Sequence, residues 1–412
     1  MEKITEQLPK MLSGDNLISE MSVYPKLDVS ISDYSTEKRL LSLLDIYKIY
    51  IPSKMSIEIY NKLYTSIFQS MQKKELKISI KQHYENFKAI KGEEYNGIIG
   101  GADNFTIIGV SGIGKSSAIN RTISLITKGG VIETKENYSM IIPFITIQCP
   151  FDSSVKGMLL EILRKVDETI GTKYYMSAIR ARATIDMLIG SVSQVALNHI
   201  GLIIVDEIQN VVNSKNGKNL IGALTQLINN SGTSICMVGT PESINFFDSA
   251  IQLSRRSVGL EYLALNYDDY FENFCKIIFN YQYTKTKTKI TPLITQWLYE
   301  HSAGIISLVI SLIHDAQEIA IMSGKEVLNL ETLNYAYEQR LRLMHKHINN
   351  SIKQKTISAK RERNISFDNK IKNQNIKTKK IKISELVTKA QNEDIDIVNL
   401  LKENFQITEV II

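Results

Sequence analysis

Runs of consecutive apolar residues alternate with segments of helical periodicity through the middle of the chain. The runs are rich in Ile and Val and lack polar alternation, which is typical of strands that are covered on both faces. The pattern therefore predicts an α/β fold in which a parallel sheet lies between helices. The runs are FTIIGV (105–110), MIIPFITIQC (140–149), LIIVD (202–206), SICMVG (234–239) and the weaker LEYLAL (260–265).

The flanking regions differ from this alternating core. Residues 1–75 begin with a polar stretch through Tyr34, which predicts a loop, and continue with two predicted helices. Residues 76–270 form the α/β core, residues 271–345 have a helical pattern throughout, and residues 346–412 are basic. We therefore expect an N-terminal helical region that binds a partner, a core, a small helical lid and a flexible basic tail that ends in a helix.

The second predicted N-terminal helix, which follows Pro52, carries one apolar face. Its apolar residues recur at helical spacing. This face either packs on the rest of the chain or binds a partner, and the sequence leaves both interpretations open. The residues are Met55, Ile59, Leu63, Ile67 and Met71.

Composition narrows the class of protein. The hydrophobic fraction of 43% and the charged fraction of 22% are ordinary for a soluble globular protein. No apolar run approaches the roughly 20 residues that a membrane-spanning helix needs, and the start, MEKITEQLPK, lacks the apolar stretch of a secretory signal. We expect a cytoplasmic protein without membrane contact. Its scattered cysteines, Cys149, Cys236 and Cys275, are expected to be buried thiols and not zinc ligands.

The net charge of +6 is concentrated near the C-terminus. In residues 346–382, lysine and arginine far outnumber acidic residues and apolar residues are sparse, which is typical of segments that do not fold alone. This tail is either a solvated linker or a segment that follows DNA. Residues 384–405 regain a helix-like pattern with apolar positions that suit docking on a partner.

The first apolar run leads into a phosphate-binding loop. Residues 109–116 read GVSGIGKS, which fits GxxxxGK[ST] between a strand and a helix. Glycines let backbone N–H groups surround phosphate oxygens, and the start of the following helix favours an anion. Lys115 can reach the β and γ phosphates, and Ser116 can ligate Mg²⁺. The loop predicts a site for ATP and Mg²⁺. Its nucleotide-binding residues are Gly109, Ser111, Gly112, Ile113, Gly114, Lys115, Ser116 and Ser117.

Two adjacent acids stand at the end of the run LIIVD (202–206). Asp206 is its last residue, and Glu207 follows directly. At the end of a buried strand, Asp206 can help to hold Mg²⁺, together with Ser116, and Glu207 can polarise an attacking water. Without a phosphate loop, the simpler interpretation would be a buried strand that is followed by a helix-capping acid. With the loop, the pair is predicted to be catalytic.

Two further candidates follow the acid pair. Thr240 stands at the end of the run SICMVG, where its hydroxyl is suited either to sense the γ phosphate or to cap a helix that starts at Pro241. Arg255 and Arg256 precede the last run. Adjacent loop arginines are usually solvated, but at a subunit edge one of them can stabilise phosphate charge in a neighbour's site. The sequence does not choose between the two arginines.

The chain resembles the AAA+ ATPases in the order of its features, which are the loop, the acid pair, the polar strand end, the arginines and the helical region. The sequences of these motifs are similar to those of the TnsC/TniB family of transposition regulators, over roughly residues 85–325. The segments that carry the similarity are GVSGIGKSSAINR (109–121), ITIQCPFD (145–152), IIVDEIQN (203–210) and MVGTPES (237–243).

This resemblance implies a three-layer AAA+ P-loop core with a lid, in a bacterial protein that couples ATP to assembly on double-stranded DNA. Family members form rings or helical filaments with ATP at subunit interfaces. They link a target-site selector protein or an RNA-guided complex to transposase subunits, which they activate. By motif, Asp206 and Glu207 support hydrolysis, Thr240 senses it, and Arg255 or Arg256 acts on a neighbouring subunit.

The family also implies DNA contacts near the second strand of the core. Lys156, at the start of the helix after CPFD, is the first candidate, followed by Arg180 and Arg182. Each of them can equally lie on a solvated helix face. Such contacts would be made to phosphates and would weaken with salt.

One position departs from the general AAA+ pattern. Many of these proteins carry a GxxR arginine in the lid, where this chain reads GIIS (304–307). The resemblance therefore implies a different coupling between lid and phosphates.

Two other functions remain open. An initiator or helicase-loader ATPase would share the architecture, but it would carry a compact C-terminal DNA-reading domain, which the lysine-rich tail does not suggest. A non-hydrolysing, nucleotide-bound DNA scaffold would not need the water-polarising acid Glu207.

Overall fold

A six-stranded sheet forms the centre of the computed structural model. Its strand order is β2-β3-β4-β5-β1-β6, in which β3, β4, β5, β1 and β6 run parallel and the short β2 pairs antiparallel with β3. The strands are β1 (Asn104–Gly109), β2 (Ile132–Glu133), β3 (Met140–Gln148), β4 (Ile200–Asp206), β5 (Ser234–Gly239) and β6 (Ser257–Tyr262). The structure describes residues 4–74, 104–127, 130–133, 140–212, 214–244 and 257–341.

The central strands β1, β4 and β5 are buried on both faces, as their unalternated apolar runs predict. Along β4, Leu202 and Ile204 pack in the core on one face, while Ile203 and Val205 pack in the core on the other. All four side chains are fully buried. Because successive strand residues point to opposite faces, both faces need apolar residues and both need a covering layer of helices. The predicted α/β class is therefore confirmed.

The N-terminal region supplies part of one covering layer. It contains α1 (Gly14–Met21), α2 (Thr36–Leu43) and α3 (Lys54–Lys73), and Ser53 starts α3 with a capping box that involves Ser56. Helix α1 replaces part of the loop that the polar composition predicts. Two buried anchors, Leu17 and Met21, hold this short helix in the same core as α3, and that contact outweighs its polar composition.

Helix α3 lies against β4. Four of the five residues of its apolar face, Ile59, Leu63, Ile67 and Met71, are fully buried. A Cβ on Gly201 would lie 2.3 Å from Cδ1 of Ile67, so the glycine makes room for the helix. The Ser70 hydroxyl also donates a hydrogen bond to the Gly201 carbonyl. This apolar face packs on the chain itself and is not free to bind a partner.

In the described part of the chain, five helices lie between the strands of the core. Helix α4 joins α3 over one face of the sheet, while α5, α7 and α8 cover the other face. Thr184 caps α7 by accepting a hydrogen bond from the N–H of Met187, and Ser154 caps α5 through the N–H of Gly157. The helices are α4 (Lys115–Ile126), α5 (Val155–Ile170), α6 (Tyr174–Arg180), α7 (Ile185–His199) and α8 (Gly217–Ser231).

The helical lid has a core of its own, which the N-terminal region completes. Ile31, Leu43 and Ile46 pack among the apolar residues of the lid helices. The Arg39 guanidinium donates to both carboxylate oxygens of Glu326, at 2.6 and 2.7 Å, and to the carbonyl of Tyr283. The lid helices are α9 (Asp269–Asn280), α10 (Pro292–Ser302), α11 (Ile306–Met322) and α12 (Leu330–Ala336).

The N-terminal region is thus shared between two cores. Leu17 and Met21 belong to the sheet core and Ile31 to the lid core, within one compact unit that spans Met1–Lys346. Residues 1–75, which the sequence sets apart as an N-terminal region, are helical in their described part. These described residues form no core of their own. The predicted basic tail lies outside the described residues.

The structure bears on two expectations from composition, the burial of the cysteines and the lack of a membrane-spanning helix. Cys149, Cys236 and Cys275 are buried free thiols, as predicted. Across the described ranges, no single helix is long and apolar enough to cross a membrane, and α10 with α11 reach that length only as a pair bent by 119°.

Candidate nucleotide site

The phosphate-binding loop joins β1 to α4. Gly112 and Gly114 adopt left-handed φ angles of 81° and 96°, which glycine reaches without the strain that a Cβ would bring. Helix α4 begins at Lys115, so the loop and the N-terminal end of the helix lie at the same cavity. Backbone N–H groups at such an end favour bound phosphate.

The Lys115 ammonium group lies against the loop. Its Nζ donates hydrogen bonds to the carbonyls of Gly109, at 2.7 Å, and Val110, at 3.1 Å. Burial lowers the pKa of Lys115 from its usual 10.5, while the nearby charges of Asp206 and Glu207 oppose that change. The lysine is therefore held at the loop, near the carboxylates of both acids.

Two side-chain oxygens from distant parts of the chain meet at this cavity. The Ser116 hydroxyl lies 3.3 Å from Oδ2 of Asp206, and Oδ1 of Asp206 accepts a hydrogen bond of 2.8 Å from the N–H of Glu207. Mg²⁺ prefers oxygen ligands at about 2.0–2.1 Å in octahedral geometry, so two oxygens at this separation can be neighbours around one ion. The residues present therefore fit the predicted Mg²⁺.

Glu207 follows β4 in a strained conformation. Its φ of 56° is left-handed, which is uncommon for a residue with a side chain. A short 3₁₀ turn, Ile208–Val211, begins directly after it. The amide of Gln209 in this turn donates to the Glu207 carboxylate through Nε2.

Thr240 stands at the end of β5, at the rim of the same cavity. Its hydroxyl donates a 2.7 Å hydrogen bond to Glu242, and its backbone N–H donates to Oε1 of Gln209 at 3.3 Å. The hydroxyl does not cap the short turn Pro241–Ser243. Of the two roles that the sequence leaves open, capping by the side chain is therefore not used here.

The cavity has a volume of about 290 Å³ and brings most of the predicted site together. The lid contributes three residues, of which Ser307 stands at the GxxR arginine position, while no motif indicates Ile306 and Ile310. Gln209 also went unpredicted, although its position in the segment DEIQN could have pointed to it. The lining residues are Ser111, Gly112, Gly114, Lys115, Ser116, Ser117, Asp206, Glu207, Gln209, Gly239, Thr240, Ile306, Ser307 and Ile310.

Among the other predicted residues that the structure describes, Gly109 and Ile113 of the loop and the three candidate DNA contacts do not line this cavity. Lys156 is exposed in the first turn of α5, Arg180 is exposed at the end of α6, and Arg182 is exposed in the turn that follows, with a φ of 50°. Arg255 and Arg256 lie outside the described residues.

A second group of possible metal ligands occurs in the lid. His314, Asp315 and Glu318 bring their ligand atoms within 4.8 Å of one another. The Arg340 guanidinium pairs with both carboxylates, at 3.1 Å from Asp315. A cationic side chain thus already neutralises this acidic group.

The family model of the bacterial TniB protein matches residues 99–262. The segment that carries the site is therefore similar to the TniB family. The match includes the loop, the acid pair, Thr240, the arginine pair and all three candidate DNA contacts, so the predicted resemblance is confirmed. No curated protein matches the sequence.

Among solved structures, the chain is similar to the Orc1 protein of Aeropyrum pernix, which was solved in complex with DNA. Sequence identity is 15% and the TM-score is 0.40, and the alignment covers 63% of this chain and 64% of that chain. The chain therefore spans less than two thirds of that relative.

Proposed function

We propose that this chain is an ATPase that assembles with ATP on double-stranded DNA and regulates transposition. The observation that carries the proposal is the meeting of Ser116 with Asp206, beside Glu207, inside the TniB-type segment. These residues lie 90 positions apart and come together at the ends of two parallel strands. That convergence is what the metal-dependent transfer of a phosphoryl group to water requires.

In the proposed reaction, the loop backbone and Lys115 hold the β and γ phosphates of ATP. Ser116 and Asp206 hold Mg²⁺, which when bound neutralises the charge that develops on the phosphates. Glu207 accepts a proton from the attacking water as the water reaches the γ phosphorus, and ADP and phosphate are released. Thr240, at the rim of the cavity, is proposed to sense the loss of the γ phosphate.

Assembly adds residues from neighbouring subunits. Arg255 or Arg256 of one subunit is proposed to enter the site of the next and to stabilise the transferred phosphoryl group. Hydrolysis then weakens the interface and controls disassembly of the ring or filament. Lys156, Arg180 and Arg182 are proposed to contact DNA phosphates, which supplies affinity without reading sequence.

The proposed partners follow from the family resemblance. A DNA-bound assembly would connect a target-site selector protein or an RNA-guided complex to transposase subunits and activate them. The basic tail would follow DNA or link a docking segment at 384–405 to the core. The protein would act in the bacterial cytoplasm, where its DNA substrate lies.

Electron microscopy with duplex DNA and a non-hydrolysable ATP analogue tests this proposal. We expect rings or helices around DNA with the wild type and bare DNA with the Lys115→Ala variant, which lacks the phosphate-binding cation. Lys276→Ala, which changes an exposed lysine on α9, serves as the control and is expected to assemble normally. Assembly of the Lys115→Ala variant to the wild-type extent would contradict the role given to ATP.

A further inference from the structure

The amide of Gln209 connects the end of β4 to the end of β5. Its Nε2 donates to the carboxylate of Glu207, and its Oε1 accepts the backbone N–H of Thr240 at 3.3 Å. The residues at the two ends of this bridge both line the cavity that contains the phosphate loop. The bridge therefore fixes the distance between the water-polarising acid and the strand end opposite it.

The turn that carries Gln209 is fixed by buried side chains and by hydrogen bonds. Ile208 and Val211 are fully buried in the core, and the amide of Asn210 donates a 2.9 Å hydrogen bond to the carbonyl of Cys149 at the end of β3. The N–H of Asn210 also donates to the carbonyl of Glu207 at 3.0 Å. These anchors leave Gln209 as the residue of the turn that faces the cavity.

The end of β5 is shaped around this turn. A Cβ on Gly239 would lie 2.7 Å from Cγ2 of Ile208 and 3.0 Å from Oε1 of Gln209. Glycine at this position therefore lets the turn approach closely enough for the Gln209 amide to reach the N–H of Thr240. The approach is a second observation, independent of the hydrogen bond to Glu207.

We propose that Gln209 is a positioning residue for hydrolysis, which holds the Glu207 carboxylate at the γ-phosphate side of the cavity. The proposal rests on the proposed function. A primary amide suits the role because it donates to a carboxylate and accepts from an N–H at the same time. A glutamate in its place would lose the donor, and a methionine of similar length would lose both partners.

Positioning of this kind affects turnover and not nucleotide binding. A general base works only when it lies within hydrogen-bond reach of the proton that it removes, and a loosely held carboxylate spends less time there. Gln209 makes no hydrogen bond to the phosphate loop, so its replacement leaves Lys115 and Ser116 in place. The predicted signature is a loss in kcat at unchanged affinity for ATP.

The test compares Gln209→Met and Gln209→Glu with Gln226→Met and Gln226→Glu, which change an exposed glutamine on α8. The dissociation constant is measured with a fluorescent ATP analogue, and kcat is measured at saturating Mg²⁺-ATP. We expect kcat to fall by about tenfold or more in both Gln209 variants, with affinity within about twofold of the wild type. The Gln226 variants are expected to match the wild type in both quantities.

Three outcomes overturn the proposal, and they differ from one another. A wild-type kcat in both Gln209 variants shows that the bridge does not position Glu207. Loss of ATP affinity in both variants shows that Gln209 supports the fold of the site instead. A wild-type protein that binds ATP without hydrolysing it removes the reaction itself, and with it the proposed function.

Discussion

The backbone N–H of Ser307 donates a 3.0 Å hydrogen bond to the carbonyl of Gly112. Ser307 lies in the first turn of the lid helix α11, and Gly112 lies in the phosphate loop, so the lid rests directly on the loop. This is the position at which many AAA+ proteins carry a lid arginine. Here a backbone hydrogen bond and the side chains of Ile305 and Ser307 connect the two elements instead.

This contact predicts that Gly112→Ala weakens ATP binding. The φ of Gly112 is 81°, and a Cβ there would lie 2.2 Å from Oγ of Ser307 and 2.9 Å from Cγ2 of Ile305. The variant must strain the loop, at about 1–2 kcal/mol, and also displace the lid. We expect the dissociation constant for ATP to rise by about tenfold or more, since tenfold corresponds to about 1.4 kcal/mol.

Gly130→Ala is the matched control for that experiment. Gly130 has a similar φ of 77°, but a Cβ there would meet nothing within 4 Å. The control therefore introduces backbone strain without a clash against the lid. Equal ATP affinities for the two variants would show that contact between lid and loop does not contribute to binding.

The Arg39–Glu326 ion pair predicts a large loss of stability on truncation. The side chain of Arg39 is 1% exposed and that of Glu326 is 16% exposed, so Arg39→Ala leaves a largely buried carboxylate without its partner. Such a change costs about 3 kcal/mol in the free energy of unfolding. Arg164→Ala, which breaks ion pairs at the surface of α5, is expected to cost much less, because solvent screens exposed ion pairs. Urea unfolding measures both, and similar losses would contradict the assignment.

The same ion pair predicts a dependence of stability on pH. Hydrogen bonds from Arg39 hold the pKa of Glu326 below its usual 4.5. Because the folded-state pKa is the lower one, the carboxylate contributes stability that is complete above the unfolded value and is lost as pH falls through the folded value. Glu326→Gln cannot titrate and lacks this contribution.

The difference in unfolding free energy between wild type and Glu326→Gln is the quantity to follow. We expect it to be constant at neutral pH and to narrow as pH falls below about 4.5, the usual glutamate value. A difference that stays constant throughout acid titration would show that the pair does not shift the pKa of Glu326.

The proposed DNA contact of Lys156 predicts a change in salt dependence. Each lost phosphate contact lowers the slope of log K against log salt by about 0.9. We expect Lys156→Ala to weaken duplex binding for every DNA sequence tested and to lower the slope by about that amount. Lys276→Ala, on the lid helix α9, is the control of equal charge. Unchanged affinity and slope in the Lys156→Ala variant would exclude the contact.

Sequence patterns predict the parts of this fold that depend on burial and on short motifs. Unalternated apolar runs such as LIIVD identify strands because both sheet faces are covered, and the loop motif places Lys115 and Ser116 at one end of β1. The convergence of Ser116 and Asp206 follows from parallel strands that share an edge. These features need only local order and a sheet.

The parts that were missed depend on tertiary contacts. The GxxR position singles out residue 307, but nothing local shows that its backbone N–H contacts Gly112, or that Arg39 pairs with Glu326. The short helix α1 forms in a polar stretch because Leu17 and Met21 pack in the core that also contains α3. The bridge by Gln209 likewise exists because Gly239 lets two strand ends approach.

Hydrolysis of ATP by the Glu207→Gln variant tests the central claim most directly. The substitution keeps the shape of the side chain but removes the carboxylate that we propose polarises water, and it leaves Lys115, Ser116 and Asp206, the proposed ligands of Mg²⁺-ATP. With duplex DNA present, we predict affinity within about twofold of the wild type and a rate that is lower by about 10²-fold or more, while Glu300→Gln on the lid hydrolyses normally. Hydrolysis by Glu207→Gln at the wild-type rate would contradict the account.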